Sequence, residues 1–235
     1  MKVINNGSTL QVIECTNIKK KKITGTRLAS VLGLNKFNSP FSVWAEMTGL
    51  YKPRFDDKYL KVGNALEKPI IKSIEDMYDF DIKTFDKNEI GFDNFKSNSI
   101  FGGMVDGIDE KKKTLVEIKT TNIKNKRYWN RQVPIEYWYQ AQLYCDLSKL
   151  NEILFGVCFV EEQDYIDPDN IPIDDRDIII YPIEKADIRT EMENAIKWYK
   201  KHILGDNIVS PKYNPNNQRD MNIVNEILRN FGGRV

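Results

Sequence analysis

The chain has 235 residues, of which 41% are hydrophobic, 11% aromatic and 29% charged, a composition that belongs to a globular domain and excludes a disordered or fibrous chain. A chain of this length buries roughly 70–75% of the surface its unfolded form exposes, so stability requires neither disulfides nor a structural metal. There are 35 basic and 34 acidic residues, a net charge of +1, and a single histidine, His202; Ser-His-Asp, Cys-His and His-rich zinc chemistry all consume imidazole, so proton or metal work falls to carboxylates and lysines.

In chain order, residues 26–33 and 40–49 read as two short helices, the second with Ser39 as its cap, Pro40 in its first position and Gly49 at its close. Residues 58–78 place Leu66, Ile70, Ile74 and Met77 at helical spacing, and Pro69 is expected to bend this helix or start a new one. Four strand candidates follow: Phe80–Phe85, Glu89–Phe95, Ser99–Asp109 and Thr114–Thr120. The last two are joined by the polar segment Asp109–Lys113, which suits a hairpin turn. Next come a helix at Ile135–Leu147, an apolar strand at Ile153–Val160 and a strand at Asp177–Tyr181. Helices at Ile183–Leu204 and Met221–Phe231 complete the chain, with His202 read as a surface residue near the end of the first. The predicted class is α/β or α+β, a mixed sheet flanked by helices. No repeat or linker divides the sequence, so one domain is expected over 1–235, with its core at about 24–160 and additions over 161–235.

Cys15, Cys145 and Cys158 form no CxxC pair and leave an odd thiol, which suits a reducing compartment. The first residues lack the apolar core of a signal peptide and the apolar runs are too short to span a bilayer. A cytoplasmic location with no membrane partner is therefore expected. The charges are segregated by sign: residues 1–60 hold ten Lys or Arg against four acids, residues 111–131 eight against one, and residues 161–194 three against twelve. Such a chain can bind a polyanion with one region and repel it with another, although charge runs are also how solvated faces look.

The chemistry concentrates in residues 102–121, GGMVDGIDEKKKTLVEIKTT. Side chains two apart on a strand share a face, so Glu117 and Lys119 project together while Val116 and Ile118 turn to a core. A hairpin brings Asp106 alongside them. Two converging carboxylates suit Mg²⁺ or Mn²⁺, which prefer oxygen ligands, and Glu67 in GNALEKPI offers a third. The Lys119 ammonium in such a place can position a water, or lower its pKa, for attack on phosphorus. Singly, each piece has a plainer reading. Asp106 before Gly107 suits a turn, Glu117 with Lys119 an exposed ion pair, Glu67 a solvated helix position, and Gln142 a buried amide that satisfies backbone. Thr24 and Thr26 suit a helix cap, and Tyr137, Trp138, Tyr139 and Tyr144 suit core packing.

Together the pieces form a known pattern. Asp106, ten intervening residues, then Glu117-Ile118-Lys119 resembles the PD-(D/E)XK nuclease superfamily. The segments TGTRLASVLGLNKFNSPFSVWAEMTG, VGNALEKPI, GGMVDGI, LVEIKTT and WYQAQLYCDL, in this order over residues 24–147, are similar to successive blocks of the YqaJ viral recombinase family, to which lambda exonuclease is related. The resemblance implies an αβββαβ core and metal-dependent hydrolysis of DNA phosphodiesters, foremost by a 5′ to 3′ exonuclease on double-stranded DNA ends in phage-type recombination. It implies two Mg²⁺ or Mn²⁺ ions held by Glu67, Asp106, Glu117 and the Ile118 carbonyl, with Lys119 beside the attacking water. Gln142, and secondarily Gln140, match glutamines on the helix behind the site. Thr24, Thr26 and Arg27 fall in a block where relatives hold DNA or a terminal phosphate, and the basic segment containing Lys124, Arg127 and Arg131 is expected to contact the DNA backbone. Val105 departs from the proline usual before the aspartate. The resemblance also implies a trimeric ring around duplex DNA and a single-strand annealing protein as partner. A restriction- or repair-type endonuclease and a non-catalytic DNA-binding subunit remain alternatives; a CRISPR-adaptation nuclease needs four cysteines for an iron–sulfur cluster, and this chain has three.

Overall fold

A computed structural model describes residues 1–14, 20–54, 56–129, 132–173 and 178–232. Its elements begin with β1 (Lys2–Asn5), β2 (Leu10–Ile13), β3 (Ile23–Thr24), α1 (Gly25–Val31), α2 (Pro40–Met47), α3 (Asp57–Tyr78), β4 (Ile82–Lys83), α4 (Lys87–Ile90) and β5 (Phe101–Gly102). They continue with β6 (Gly107–Asp109), β7 (Thr114–Asn122), α5 (Lys126–Trp129), α6 (Ile135–Leu147), β8 (Glu152–Val160), β9 (Ile178–Glu184), α7 (Arg189–His202), β10 (Ile208–Val209) and α8 (Gln218–Phe231). The chain divides into two compact units: Met1–Arg54 with Ser97–Gly102 and Ile188–Val235, and Phe55–Lys96 with Gly103–Asp187. Among the described residues no helix is long and apolar enough to cross a membrane.

The second unit is built on a five-stranded mixed sheet, ordered β4-β6-β7-β8-β9. β6 and β7 form an antiparallel hairpin in which Gly107 faces Val116 and Asp109 faces Thr114. β7 then runs parallel to β8, from Thr114 opposite Glu152 to Asn122 opposite Val160, and α6 makes the crossover that a parallel pair requires. One face of the sheet carries Val116, Ile118, Leu154 and Cys158 against Val62, Leu66, Ile70 and Ile74 of α3. Gly156 lets that helix come close, since a Cβ there would stand 2.6 Å from Ile74 Cδ1 and 3.1 Å from Ile70 Cγ2. On the opposite face Trp129 fills an aromatic nest, with ring centroids 5.5 Å from Tyr137, 5.6 Å from Tyr181 and 6.4 Å from Phe155.

In the first unit β1, β2 and β10 form an antiparallel sheet and β3 pairs in parallel with β5. Its core includes Leu10, Val12, Leu28, Phe41, Trp44 and Ile227. Ser39 caps α2 by accepting from Ser42 N at 3.0 Å, and donates its own hydroxyl to Asp220 Oδ1 at 2.7 Å.

Several sequence expectations meet a different outcome. Residues 89–95 are not a strand: Asp86 accepts from Asn88 N at 2.7 Å and starts the short α4, and Gly91 and Phe92 follow at positive φ. Local side-chain capping outweighs β propensity there. The expected strand at 99–109 is split into β5 and β6, because Gly103, at φ +133°, leaves the extended conformation between them. Residues 80–85 contribute only Ile82–Lys83. Residues 183–184 belong to β9 rather than to a helix, and α7 starts at Arg189. Pro182 within β9 is tolerated because this is an edge strand. Pro69 does not break α3; it lies on the exposed side, where water can satisfy the carbonyl freed one turn earlier. Met77 is 38% exposed, and Val62 and Ile71 complete the buried stripe instead. His202 is buried, its Nδ1 2.7 Å from the Val209 carbonyl, and burial lowers its pKa. Cys145 and Cys158 are buried free thiols, while Cys15 and Asp177 lie outside the described residues.

The aromatic nest makes a direct prediction. Trp129→Ala removes a fully packed ring from four aromatic neighbours and should cost about 3–5 kcal/mol, read as a lower midpoint in urea denaturation.

Candidate active site

The site is assembled around one turn and one strand of the second unit. Asp93 Oδ1 accepts from Gly103 N at 3.1 Å, and Asn94 Oδ1 accepts from Val105 N at 3.0 Å, which pins the segment leading to Asp106. Glycine is required at 103: besides its positive φ, a Cβ there would collide with the Tyr144 hydroxyl. From this staple Asp106 reaches across to β7, where its Oδ2 accepts from Ile118 N at 2.8 Å.

On β7, Glu117 is fully buried and Lys119 lies beside it. Lys119 Nζ donates to Glu117 Oε2 at 2.8 Å and to the Ile118 carbonyl at 3.0 Å, and stands 3.5 Å from Asp106 Oδ2. Gln140 of α6 donates its Nε2 to the same Glu117 oxygen at 2.8 Å. The other oxygen, Glu117 Oε1, is buried with no hydrogen-bond partner among the described residues. Glu67 lines a cleft of about 180 Å³ with Asp106, Ile118 and Thr120, and its Oε2 lies 3.5 Å from Lys87 Nζ.

The electrostatics follow from burial. Burial lifts the Glu117 carboxyl to about 7, opposed by the Lys119 ammonium and reinforced by the Asp106 charge. Burial alone would depress Lys119, but Glu117 and Asp106 outweigh it and raise its pKa. The ammonium is therefore the firmly held charge, and the Glu117 carboxylate the one most easily neutralised.

These residues suit a hard cation. Asp106, Glu117 and the Ile118 carbonyl all turn oxygens toward one point, the Lys119 ammonium stands at that point as a cation would, and a buried carboxylate oxygen is left over. An all-oxygen donor set is the chemistry of Mg²⁺ or Mn²⁺. Among the described residues no three acidic, cysteine or histidine side chains close into a ligand cluster, so Glu67 shares the cleft without joining the pair.

The remaining expected residues are distributed as follows. Gln142 turns away from the site: its Nε2 donates to the Glu184 carbonyl at 2.9 Å and its Oε1 accepts from Ala186 N at 2.9 Å. Two residues along a helix are about 200° apart, so only one of Gln140 and Gln142 can face Glu117, and it is Gln140. In the first unit the Thr24 and Thr26 hydroxyls are 2.9 Å apart, and Thr24 gives α1 no side-chain cap. Arg27 is held by Glu46 at 2.6 Å and by the Lys22 carbonyl at 3.0 Å. In the second unit Lys124 is exposed and meets Glu162 at 3.0 Å, and Arg127 is exposed beside Tyr128. Arg131 lies outside the described residues. Sequence reasoning missed Asp93, Asn94 and Gly103; the turn-forming pair Asp-Asn ten residues before the glycine was the available signal.

A mixed sheet with an aspartate ahead of one strand, Glu-x-Lys on its neighbour and a glutamine from the packed helix is the PD-(D/E)XK nuclease fold. The chain belongs to the YqaJ-like viral recombinase family, whose domain matches residues 14–150. It is similar to the uncharacterized protein MG373 of Mycoplasma genitalium, at 31% identity over 78% of this chain and 81% of that protein. It is also similar to the MG373 homolog of Mycoplasma pneumoniae, at 27% identity with the same coverage. Among solved structures it resembles an alkaline exonuclease, LHK-Exo, from Laribacter hongkongensis (TM-score 0.57, 18% identity, 75% of this chain and 85% of that one). A phage related exonuclease from Haemophilus somnus is similar in the same way (TM-score 0.53, 17% identity, 77% and 94%). At these identities the likeness establishes the shared fold.

The raised Glu117 carboxyl makes stability depend on pH. A carboxyl raised in the folded state contributes stability that is fully present below its ordinary pKa and is lost as pH rises through the folded value, here about 7. In chelator, urea denaturation should give a lower midpoint at pH 8 than at pH 5, and Glu117→Gln should flatten that difference.

Proposed function

We propose that this protein is a metal-dependent deoxyribonuclease that hydrolyses phosphodiesters of double-stranded DNA from its ends, 5′ to 3′, in phage-type recombination. The observation that carries this reading is the convergence of Glu117 Oε2, the Ile118 carbonyl and Asp106 Oδ2 on the Lys119 ammonium, in a chain of the YqaJ-like viral recombinase family. Support also comes from LHK-Exo, of similar fold, whose structure has been solved in complex with dAMP.

In this reading Asp106, Glu117 and the Ile118 carbonyl hold the divalent cations, two per site, with Glu67 supplying a further carboxylate from across the cleft. The bound metal supplies charge stabilisation at phosphorus and a water of lowered pKa. Gln140 fixes the Glu117 carboxylate through one oxygen and leaves the other without a hydrogen-bond partner among the described residues. Lys119, kept protonated by its two carboxylates, orients the attacking water and stabilises the charge that develops on the phosphoryl oxygens. The Thr24 and Thr26 hydroxyls, with Lys124, Arg127 and Arg131, are assigned to phosphate contacts. Arg27 is paired with Glu46 and would exchange that partner for a phosphate. The assembly proposed is a trimeric ring around duplex DNA, in which processivity follows from enclosure rather than from tight binding. A single-strand annealing protein is the proposed partner, and the cytoplasm the proposed location.

The test is digestion of linear and closed circular duplex DNA with Mg²⁺ or with EDTA. Linear DNA should be degraded from its 5′ ends, circular DNA should survive, and EDTA should stop the reaction; cleavage of the circle would instead favour the endonuclease. Asp106→Asn and Lys119→Met should each lower turnover by a factor on the order of 10²–10³, and full activity in either variant would overturn the assigned site. Neutralising Lys124 and Arg127 should flatten the dependence of log affinity on log salt by about 0.9 per lost phosphate contact.

A further inference from the structure

Beside the catalytic cleft lies a second cavity of about 880 Å³, bordered by Lys58, Lys61, Asn64, Tyr165 and Ile166. Asn64 lines both spaces, and Tyr59 stands in the wall of the catalytic cleft. The boundary between them is aromatic. Tyr59, 57% exposed, meets Tyr165 edge-on with centroids 5.1 Å apart and planes at 72°. Lys58 Nζ lies 5.0 Å from the first ring and 5.9 Å from the second. Tyr165 is anchored by packing against the core between α3 and the sheet, while its neighbour Ile166 is 85% exposed.

Charge does not account for this arrangement. Lys58 is paired with Asp56 at 3.4 Å, and Asp57 and Asp167 line the same cavity. A phosphate gains little from such a wall, whereas a neutral planar ring gains the face of an exposed aromatic backed by a cation. Tyr59, Gly63 and Glu67 follow one another at intervals of four residues along one stripe of α3. The Cα of Tyr59 therefore lies about 12 Å along the helix from that of Glu67, at about 1.5 Å per residue. That span matches about three to four stacked nucleotides at about 3.4 Å each.

We propose that Tyr59 and Tyr165 form a stacking platform for unpaired bases of single-stranded DNA continuous with the strand held in the catalytic cleft. This inference rests on the nuclease reading given above and adds to it that the substrate passes α3 as a single strand. Aromatic stacking is tolerant of sequence, because every base has a π face. The platform therefore confers a preference for unpaired DNA and none for a particular base.

The experiment uses the full chain in EDTA, so that nothing is cleaved, and a single-stranded oligonucleotide carrying 2-aminopurine within four nucleotides of its 5′ end. Binding to the wild type should quench the fluorophore. Tyr59→Leu and Tyr165→Leu should weaken binding about 5- to 150-fold, the range for loss of one stacked base, and should abolish the quenching. Tyr59→Phe should restore both, which a merely structural loss would not explain. Tyr59 is exposed, so its variants decide the matter if Tyr165→Leu fails to fold. Wild-type binding without quenching, no binding at all, or unchanged affinity and quenching in Tyr59→Leu would each overturn the platform. Parallel digestion of linear duplex DNA by the wild type with Mg²⁺ separates the two readings: cleavage there with an unaffected Tyr59→Leu removes the platform alone, and no cleavage removes the nuclease assignment beneath it.

Discussion

Placing an ammonium out of water between two carboxylates is the constraint on which the second unit depends. Removing a charge from solvent costs several kcal/mol even after relaxation, and the cost is recovered only where partners and hydrogen bonds are in place. Lys119 has them: a buried carboxylate, a backbone carbonyl and a second carboxylate within 3.5 Å. Each partner is in turn held by something else. Gln140 holds Glu117, the Ile118 amide holds Asp106, and the β6–β7 hairpin sets the register that brings Asp106 to Ile118. The arrangement is polar and closely connected, and among the described residues Glu117 Oε1 finds no hydrogen-bond partner.

Around this cluster the scaffold does two kinds of work. The α3 face of the sheet is apolar and gives rigidity through Val116, Ile118 and the isoleucines of the helix. The α6 face is mixed: Trp129 and its aromatic neighbours occupy one part, and Glu117 with Gln140 the other. Strand alternation is what allows both, since consecutive residues of β7 serve opposite faces. The Asp93–Asn94 staple then supplies what a strand cannot, an abrupt change of direction just before Asp106.

Many basic residues in this chain are already answered by acids. Arg27 meets Glu46, Lys124 meets Glu162, Lys87 meets Glu67 and Lys58 meets Asp56. For the basic segment 111–131, segregation along the sequence overstates the field that a nucleic acid would feel, because Glu162 of the acidic segment 161–194 returns to Lys124 in space. Exposed pairs of this kind are weak and exchange readily with phosphates, so they tune affinity without forbidding contact. Recognition by aromatic surface at the cleft edge complements such a compensated wall.

The sequence alone determined that Glu117 and Lys119 share a face, that Asp106 comes to them through a hairpin, and that α6 spans Ile135–Leu147, because period-two alternation, a polar turn and helical spacing are local properties of a chain. Only the tertiary structure decided which glutamine meets Glu117, since Gln140 and Gln142 differ by a helix phase that depends on what α6 packs against. The Asp86 cap that opens α4 in place of a strand is a local contact, whereas the tertiary structure also decided that Gly103 divides 99–109 between two sheets, since β5 pairs with β3 and β6 with β4 and β7. The burial of His202 and the placing of Glu67 in the cleft but outside the ion cluster belong to the same class. A side chain's residue type and spacing are written in the sequence, while the polar atoms it finds within 3 Å are set by long-range packing.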